Sequence, residues 1–287
     1  MIRYDYYQPE SLEEAFGLKK TIPDSLFVSG GTDLMVRINK KELRPSALIS
    51  LRSIPGLTGI ENSKIIRIGA MTSISALCKN QLLCEKYPVL IQAAKELGSV
   101  QIRNVATIGG NLCNGSPAAD MAPPLLVLEA KVRLQSARKS RDLPLEKFFR
   151  GPGKTDLSPE EILTDILLEP PGQNSNTVFL KKGRTRMDLA VASVAALIQK
   201  KGNRCLKARI AAGSVAPVPM RLLKVEALLK GATLSQELLE AAQQLASQCV
   251  CPISDVRSTA DYRYHLVGVL VKRALEKLQG KDLGDKH

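Results

Sequence analysis

Gly98-Ser-Val-Gln-Ile-Arg-Asn-Val-Ala-Thr-Ile-Gly-Gly-Asn-Leu-Cys-Asn-Gly-Ser-Pro-Ala-Ala-Asp120 is rich in glycine, small and polar residues and carries few charges. Such a stretch suits backbone lying against a ligand, because glycine lets another group approach closely. Within it, Thr107-Ile108-Gly109-Gly110-Asn111 offers a nest of backbone N–H groups, and Ser116 and Asp120 add a hydroxyl and a carboxylate. Upstream, Ser25 to Ser29 reads as a short buried strand that runs into Ser29-Gly30-Gly31-Thr32-Asp33, and Asp33 to Lys40 can turn helical. Strand, glycine turn and short helix place consecutive N–H groups at a helix N-terminus, where phosphate is favoured. Gly-Gly after a strand is also an ordinary turn, and the third glycine of a Rossmann G-x-G-x-x-G is missing. Two nests together imply an extended ligand. Asp120 suits the hydroxyls of a sugar, or equally a helix cap.

Outward from these loops the pattern is mixed helix and strand. Ser11-Leu12-Glu13-Glu14 has capping-box spacing and opens a helix. Strand-like runs follow at Ala47 to Leu51 and Lys64 to Ile68, with a helix over Pro88 to Leu97. Ser158-Pro159-Glu160-Glu161 predicts a short helix ahead of a strand at Asp165 to Leu168. Pro170-Pro171-Gly172-Gln173-Asn174-Ser175-Asn176 is the best linker. Beyond it lie a buried Ala/Val/Leu-rich segment at Asp188 to Gln199, a strand at Lys207 to Ala212, and helices at about Ser235 to Ser247 and Ala260 to Leu278.

The 287 residues, 44% hydrophobic, are enough for a sizeable core and about two domains. No apolar run reaches the length of a membrane span, and the N-terminus lacks a secretory signal, which points to the cytoplasm. The six cysteines, Cys78, Cys84, Cys113, Cys205, Cys249 and Cys251, contain no C-x-x-C pair, so the chain is expected to hold no metal and any iron–sulfur cluster should belong to a partner. Cys249 and Cys251 read as reduced thiols. The net charge of +13 invites nucleic acid, but the basic residues are dispersed, aromatics are 4%, and no nucleic-acid signature is present. A solvated basic surface, or docking to acidic partner subunits, accounts for the charge.

Ser29-Gly-Gly-Thr-Asp-Leu-Met35, paired with Gln101-Ile-Arg-Asn-Val-Ala-Thr-Ile-Gly-Gly-Asn111 and Ser116-Pro-Ala-Ala-Asp120, resembles the flavin subunits of molybdenum hydroxylases. That family includes xanthine, carbon monoxide and nicotinate dehydrogenases. The likeness continues in Leu157-Ser-Pro-Glu-Glu-Ile-Leu163, Gly213-Ser-Val-Ala-Pro-Val-Pro-Met-Arg221, Tyr262-Arg263 and Leu266-Val-Gly-Val-Leu-Val-Lys-Arg273, covering nearly the whole chain.

The resemblance implies an α+β fold. A two-lobed α/β FAD-binding domain of the PCMH type would span residues 1–173, and a smaller C-terminal α+β domain of the carbon monoxide dehydrogenase flavoprotein type, a sheet packed on helices, residues 174–287. It further implies FAD held by Ser29, Gly30, Gly31, Thr32, Asp33 and Leu34 together with Thr107, Ile108, Gly109, Gly110 and Asn111 around the pyrophosphate. Ser116 and Asp120 would lie by the ribose or phosphate region. Ile162, Leu163 and a lysine, Lys181 or Lys182, fall where the family lines the flavin ring. Ser29 stands where many relatives carry alanine. His265 and His287 are remote from both loops in sequence, so the FAD is expected to be noncovalent.

The partners implied are a molybdenum-binding large subunit and an iron–sulfur small subunit with two 2Fe–2S clusters, in a dimer of heterotrimers. Electrons would pass from the clusters through FAD to NAD or another acceptor, with no catalytic residue required of this chain. The rival reading is a stand-alone FAD reductase resembling UDP-N-acetylenolpyruvoylglucosamine reductase, which needs a proton donor in its second domain. A basic interaction module would leave both glycine loops unexplained.

Overall fold

The computed structural model describes residues 3–172 and 174–280. His287 lies outside these residues, as does Gln173, on which the expected domain boundary falls.

The first lobe is built from β1 (Asp5–Tyr7), α1 (Leu12–Thr21), β2 (Leu26–Val28), α2 (Leu34–Asn39) and β3 (Ala47–Ser50). Ser11 caps α1 by accepting the Glu14 N–H, and the Glu14 carboxylate accepts the Glu10 N–H. The three strands form a parallel sheet in the order β1-β3-β2, so the buried Ala47-Leu48-Ile49-Ser50 lies in its centre.

The second lobe opens with β4 (Ile60–Glu61) and β5 (Ile66–Gly69) and continues through six short helices. These are α3 (Ile74–Lys79), α4 (Gln81–Lys86), α5 (Pro88–Glu96), α6 (Val100–Val105), α7 (Ile108–Cys113) and α8 (Ala122–Val127). Strands β6 (Lys131–Gln135) and β7 (Ser140–Pro144), the small hairpin β8 (Phe149–Gly151) and β9 (Lys154–Thr155), and β10 (Ile162–Leu168) complete it. The main sheet is antiparallel, in the order β4-β5-β10-β6-β7. All seven residues of its central strand β10 are buried.

The helix expected at Ser158 is a turn. The Glu161 carboxylate accepts the Ser158 N–H, but the Glu161 N–H donates to the Ser158 carbonyl and not to its hydroxyl; Arg141 holds both Glu161 oxygens at 2.8 Å, and the chain enters the ladder with β6 at Ile162. The pairing of a full strand outweighs one turn of helix, so the strand also starts three residues earlier than Asp165.

The C-terminal domain is an antiparallel sheet, β11 (Ser175–Lys182), β12 (Ala192–Lys201), β13 (Arg204–Gly213) and β14 (Met220–Arg221), followed by α9 (Leu223–Leu229), α10 (Gln236–Gln248) and α11 (Ala260–Gln279). The sheet is apolar on both faces. Val194, Ala196 and Ile198 pack with Val267, Val271 and Leu275 of α11, while the alternate residues Ala195 and Leu197, with Phe179 and Ala211, join the core of the second lobe. This period of two makes the domain interface part of one continuous core, which fixes the C-terminal sheet against the glycine-loop segment. Within the segment expected to be buried, Asp188 to Gln199, Leu189 is exposed and burial begins at Ala190.

Candidate cofactor cleft

The segment 98–120, expected to be a ligand-facing loop, contains two short helices. Ser99 caps α6 by accepting the Ile102 N–H, and Thr107 caps α7 by accepting the Gly110 N–H at 3.1 Å. These caps let a glycine-rich sequence hold helical turns that propensity alone disfavours. Gly115, at positive φ, then reverses the chain; Ser116 Oγ accepts the Ala118 N–H, and Asn111 Oδ1 accepts the Met121 N–H. Asp120 is thereby carried, 4% exposed, into the wall of a cleft.

That cleft, of about 370 Å³, brings together most of the expected site. Ser29, Gly30, Gly31, Thr32, Asp33 and Leu34 form one wall; Thr107, Gly110, Asn111, Ser116 and Asp120 line the other. Ile108 and Gly109 lie behind the wall. Ile108 is fully buried, and a Cβ on Gly109 would meet Ala70 Cβ at 2.6 Å, so their role is packing α7 onto the sheet. Ile162 packs with Ala15, Phe16 and Met71, and Leu163 joins the second-lobe core; neither lines the cleft. Lys182 is exposed. Lys181 also stays out of the lining, but its Nζ reaches Asp120 Oδ2 at 2.7 Å and the Glu96 carbonyl at 2.9 Å.

The two loops contribute differently. None of the backbone N–H groups from Gly30 to Leu34 finds an acceptor among the described residues, so this run is free at the start of α2. In the second loop the N–H groups are occupied: Ile108 donates to Thr72, Gly109 to Ala70, Gly110 to Thr107 Oγ1 and Asn111 to the Thr107 carbonyl. One nest, not two, is available to an anion. The second loop supplies close approach, since Gly110 has no Cβ, and the polar side chains of Thr107 and Asn111.

Two carboxylates shape the field. Burial raises the Asp33 carboxyl above its ordinary value, partly offset by Arg37 one turn along α2. Asp33 forms no side-chain cap bond. Burial pushes Asp120 up to about 6 although Lys181 pulls it down, and Glu96 adds to the rise. Asp120 Oδ1 is a buried acceptor without a partner among the described residues. Burial also pushes the Cys113 thiol, in the cleft wall, up to about 12, so it is neutral at physiological pH.

Sequence reasoning missed the third wall, Met187-Asp188-Leu189 from the β11–β12 connection. No local pattern marks these residues; their place follows from the docking of the C-terminal sheet. It also left the C-terminal motifs without a role. Arg263, 2% exposed, donates to the Ser214 carbonyl at 3.0 Å, and the Ser214 N–H donates to the Pro117 carbonyl at 2.8 Å. These motifs buttress the loop that carries Asp120. Tyr262 and His265 are exposed on α11, outside the cleft.

Among the described residues no group of three His, Cys, Asp or Glu is placed to hold a metal ion, and no helix is long and apolar enough to cross a membrane.

Residues 2–170 match the FAD binding domain in molybdopterin dehydrogenase, and residues 178–278 match the CO dehydrogenase flavoprotein C-terminal domain. The chain is 31% identical to the putative xanthine dehydrogenase FAD-binding subunit of Escherichia coli (strain K12), covering 95% of this chain and 94% of that one. It is 32% identical to the carbon monoxide dehydrogenase medium chain of Hydrogenophaga pseudoflava, over 95% and 96% of the two chains. The solved carbon monoxide dehydrogenase from Hydrogenophaga pseudoflava superposes with a TM-score of 0.94 at 31% identity, covering 97% of this chain and 98% of that chain. Quinoline 2-oxidoreductase from Pseudomonas putida 86 superposes at 0.92 with 26% identity, over the same shares.

Proposed function

Because the chain belongs to the FAD-binding flavoproteins of the molybdopterin dehydrogenase family, we propose that it is the flavin subunit of a multi-subunit molybdenum hydroxylase, binding one FAD noncovalently in the cleft between its glycine loops. The observation that carries the reading is the free N–H run of Gly30 to Leu34 facing Gly110 and Asp120 across one cleft. Its residues fit FAD. The free run with the α2 N-terminus suits the pyrophosphate, Gly110 leaves the approach open, and the unpartnered Asp120 Oδ1 is an acceptor for a ribose or ribityl hydroxyl.

FAD, when bound, supplies the exchange of electrons between iron–sulfur clusters of a partner subunit and NAD or another final acceptor. The work of this chain is binding and positioning. Gly30 to Leu34 neutralise the pyrophosphate with fixed dipoles, Thr107 and Asn111 orient polar atoms of the cofactor, and Met187 and Leu189 shield one side of the cleft from water. The FAD-binding part runs to about residue 173, and the C-terminal part begins at 174. A molybdenum-binding large subunit and a two-cluster iron–sulfur small subunit are the partners, in a dimer of heterotrimers in the cytoplasm.

The test is spectroscopic. The purified chain is yellow, and acid precipitation releases FAD, not FMN, into the supernatant. Substrate of the molybdenum subunit bleaches the flavin band near about 450 nm in the complete complex and not with this chain alone. Flavin left in the acid pellet, or bleaching by the chain alone, overturns the reading.

A further inference from the structure

Lys181 stands on the first strand of the C-terminal domain, yet its ammonium group is spent inside the FAD-binding domain. Its side chain and that of Asp120 are each 5% exposed, and the Nζ lies 2.7 Å from Asp120 Oδ2 and 2.9 Å from the Glu96 carbonyl. Lys181 does not line the cleft, whereas Asp120 does. We propose that Lys181 is a positioning residue that acts on FAD through Asp120, holding that carboxylate in place as the acceptor for a cofactor hydroxyl, and is not itself a contact of the flavin ring. The inference rests on the FAD reading above.

The geometry leaves the carboxylate one task. Oδ2 is occupied by Lys181, while Oδ1, buried in the cleft wall, has no partner among the described residues. A buried acceptor left unsatisfied costs about 1–3 kcal/mol. A hydroxyl donated by the ligand removes that cost only if the carboxylate keeps its orientation, and the ammonium group fixes it. The backbone beneath Asp120 is held from the same domain, through Arg263, Ser214 and Pro117. Side chain and main chain of this one residue are therefore both set by the C-terminal domain.

Charge follows the same route. Burial opposes ionisation of Asp120, Lys181 of β11 favours it, and Glu96 at the end of α5 opposes it, leaving the group at about 6. The other charged or titratable groups of the cleft are Asp33 and Arg37 on α2, Asp188 on the β11–β12 connection, and the neutral thiol of Cys113. A hydroxyl donor binds the ionised carboxylate, so FAD affinity is full above the Asp120 pKa and falls as pH drops through it. Without the ammonium group that pKa rises, and the pH at which affinity is lost rises with it.

The experiment titrates FAD into the full-length, flavin-stripped chain between pH 5 and 8, following the quenching of flavin fluorescence. The native Kd is flat near neutrality and weakens by up to about tenfold per pH unit below about 6, the limit for a single proton. In Lys181→Met the midpoint moves up by about one unit, so that relative to the native chain the Kd weakens about twofold at about pH 7 and about tenfold at about pH 5. Lys181→Arg returns both to native values, and Asp120→Asn flattens the profile. Asp33→Asn keeps the native midpoint, which assigns the titration to Asp120. Circular dichroism verifies that each variant is folded. Equal weakening by Lys181→Met at every pH, or the same weakening in an Asp120→Asn background, overturns the inference. A native chain that binds no FAD at any pH overturns the FAD reading instead.

Discussion

A Cβ placed on Gly110 would lie 2.6 Å from Ser29 Oγ and 2.9 Å from Thr107 Oγ1. The two glycine loops, far apart in sequence, thus meet at the position where one of them lacks a side chain. Gly110 has no positive φ, so the constraint is contact and not backbone strain.

Gly110→Val should therefore yield a folded protein without cofactor. Its side chain meets hydroxyl groups that can rotate aside, but it then occupies the cleft. FAD content after gel filtration should fall from near stoichiometric to under about a tenth, with thermal stability lowered by no more than the ~1–3 kcal/mol of a tolerated overpacking. Stoichiometric FAD in this variant would remove the second loop from the site. Gly110→Ala should be milder, and milder still when combined with Ser29→Ala, which removes the closest contact.

Gly30 behaves differently. A Cβ there would lie 2.2 Å from the Val105 carbonyl oxygen and 2.9 Å from its carbon, both of them backbone. Backbone at the end of α6 cannot swing away, so Gly30→Ala should cost stability as well as FAD. We expect a loss of roughly 1–3 kcal/mol in denaturant unfolding of the flavin-free chain, where Gly110→Ala loses less. Equal stability of the two variants would mean that the first loop can shift freely.

The contrast between these glycines shows how much was legible in the sequence. The strand–glycine–helix order at Ser25 to Lys40 and the C-terminal helices are written locally, in capping residues and apolar spacing, and the structure has them. The occupied N–H groups of Ile108 and Gly109 were not legible, because their acceptors, Thr72 and Ala70, come from another element. The strand at Ile162 was misplaced because β6, not the local Ser-Pro-Glu-Glu pattern, decides where pairing begins. Arg263 carried no visible role for a similar reason: its partners, Ser214 and Asp255, are brought to it by the fold.

The Arg263 contacts lead to a prediction about pH. Burial would raise the Asp255 carboxyl, but the hydrogen bonds from Arg257 and Arg263 outweigh it and hold the group well below the usual carboxylate range. A depressed carboxylate contributes stability above its unfolded pKa, about 4, and that contribution is lost as pH falls below this value. Arg263→Met leaves the Ser214 carbonyl without this donor and Asp255 with Arg257 as its remaining guanidinium partner, beside the Ser258 N–H. Urea unfolding at pH 7 should show a loss of about 3 kcal/mol or more. The gap between variant and native chain should narrow below about pH 4, as the native chain loses its own contribution. A gap constant from pH 7 to pH 3 would show that the Asp255 charge plays no part.

Two opposing effects meet at one residue of the domain interface. Glu129 has φ +52, a conformation that favours glycine, so Glu129→Gly should relieve up to about 1 kcal/mol of strain. The same substitution removes the carboxylate that pairs with Arg209 and lies 3.6 Å from Arg221 across the interface. Glu129 is half exposed, which weakens its own contribution through solvent screening, but Arg209 is only 7% exposed. Its charge would keep the Val127 carbonyl as an acceptor, while Glu226 is already held by Arg221 and the Ile210 N–H. Leaving a buried charge short of its counter-ion costs several kcal/mol in a dry site and less beside water, so the loss exceeds the relief. Glu129→Gly should lower stability by about 1–2 kcal/mol. In an Arg209→Met background, where no buried charge is stranded, the same change should be neutral or stabilising. Stabilisation in the native background would show that backbone strain, not the ion pair, dominates at this junction.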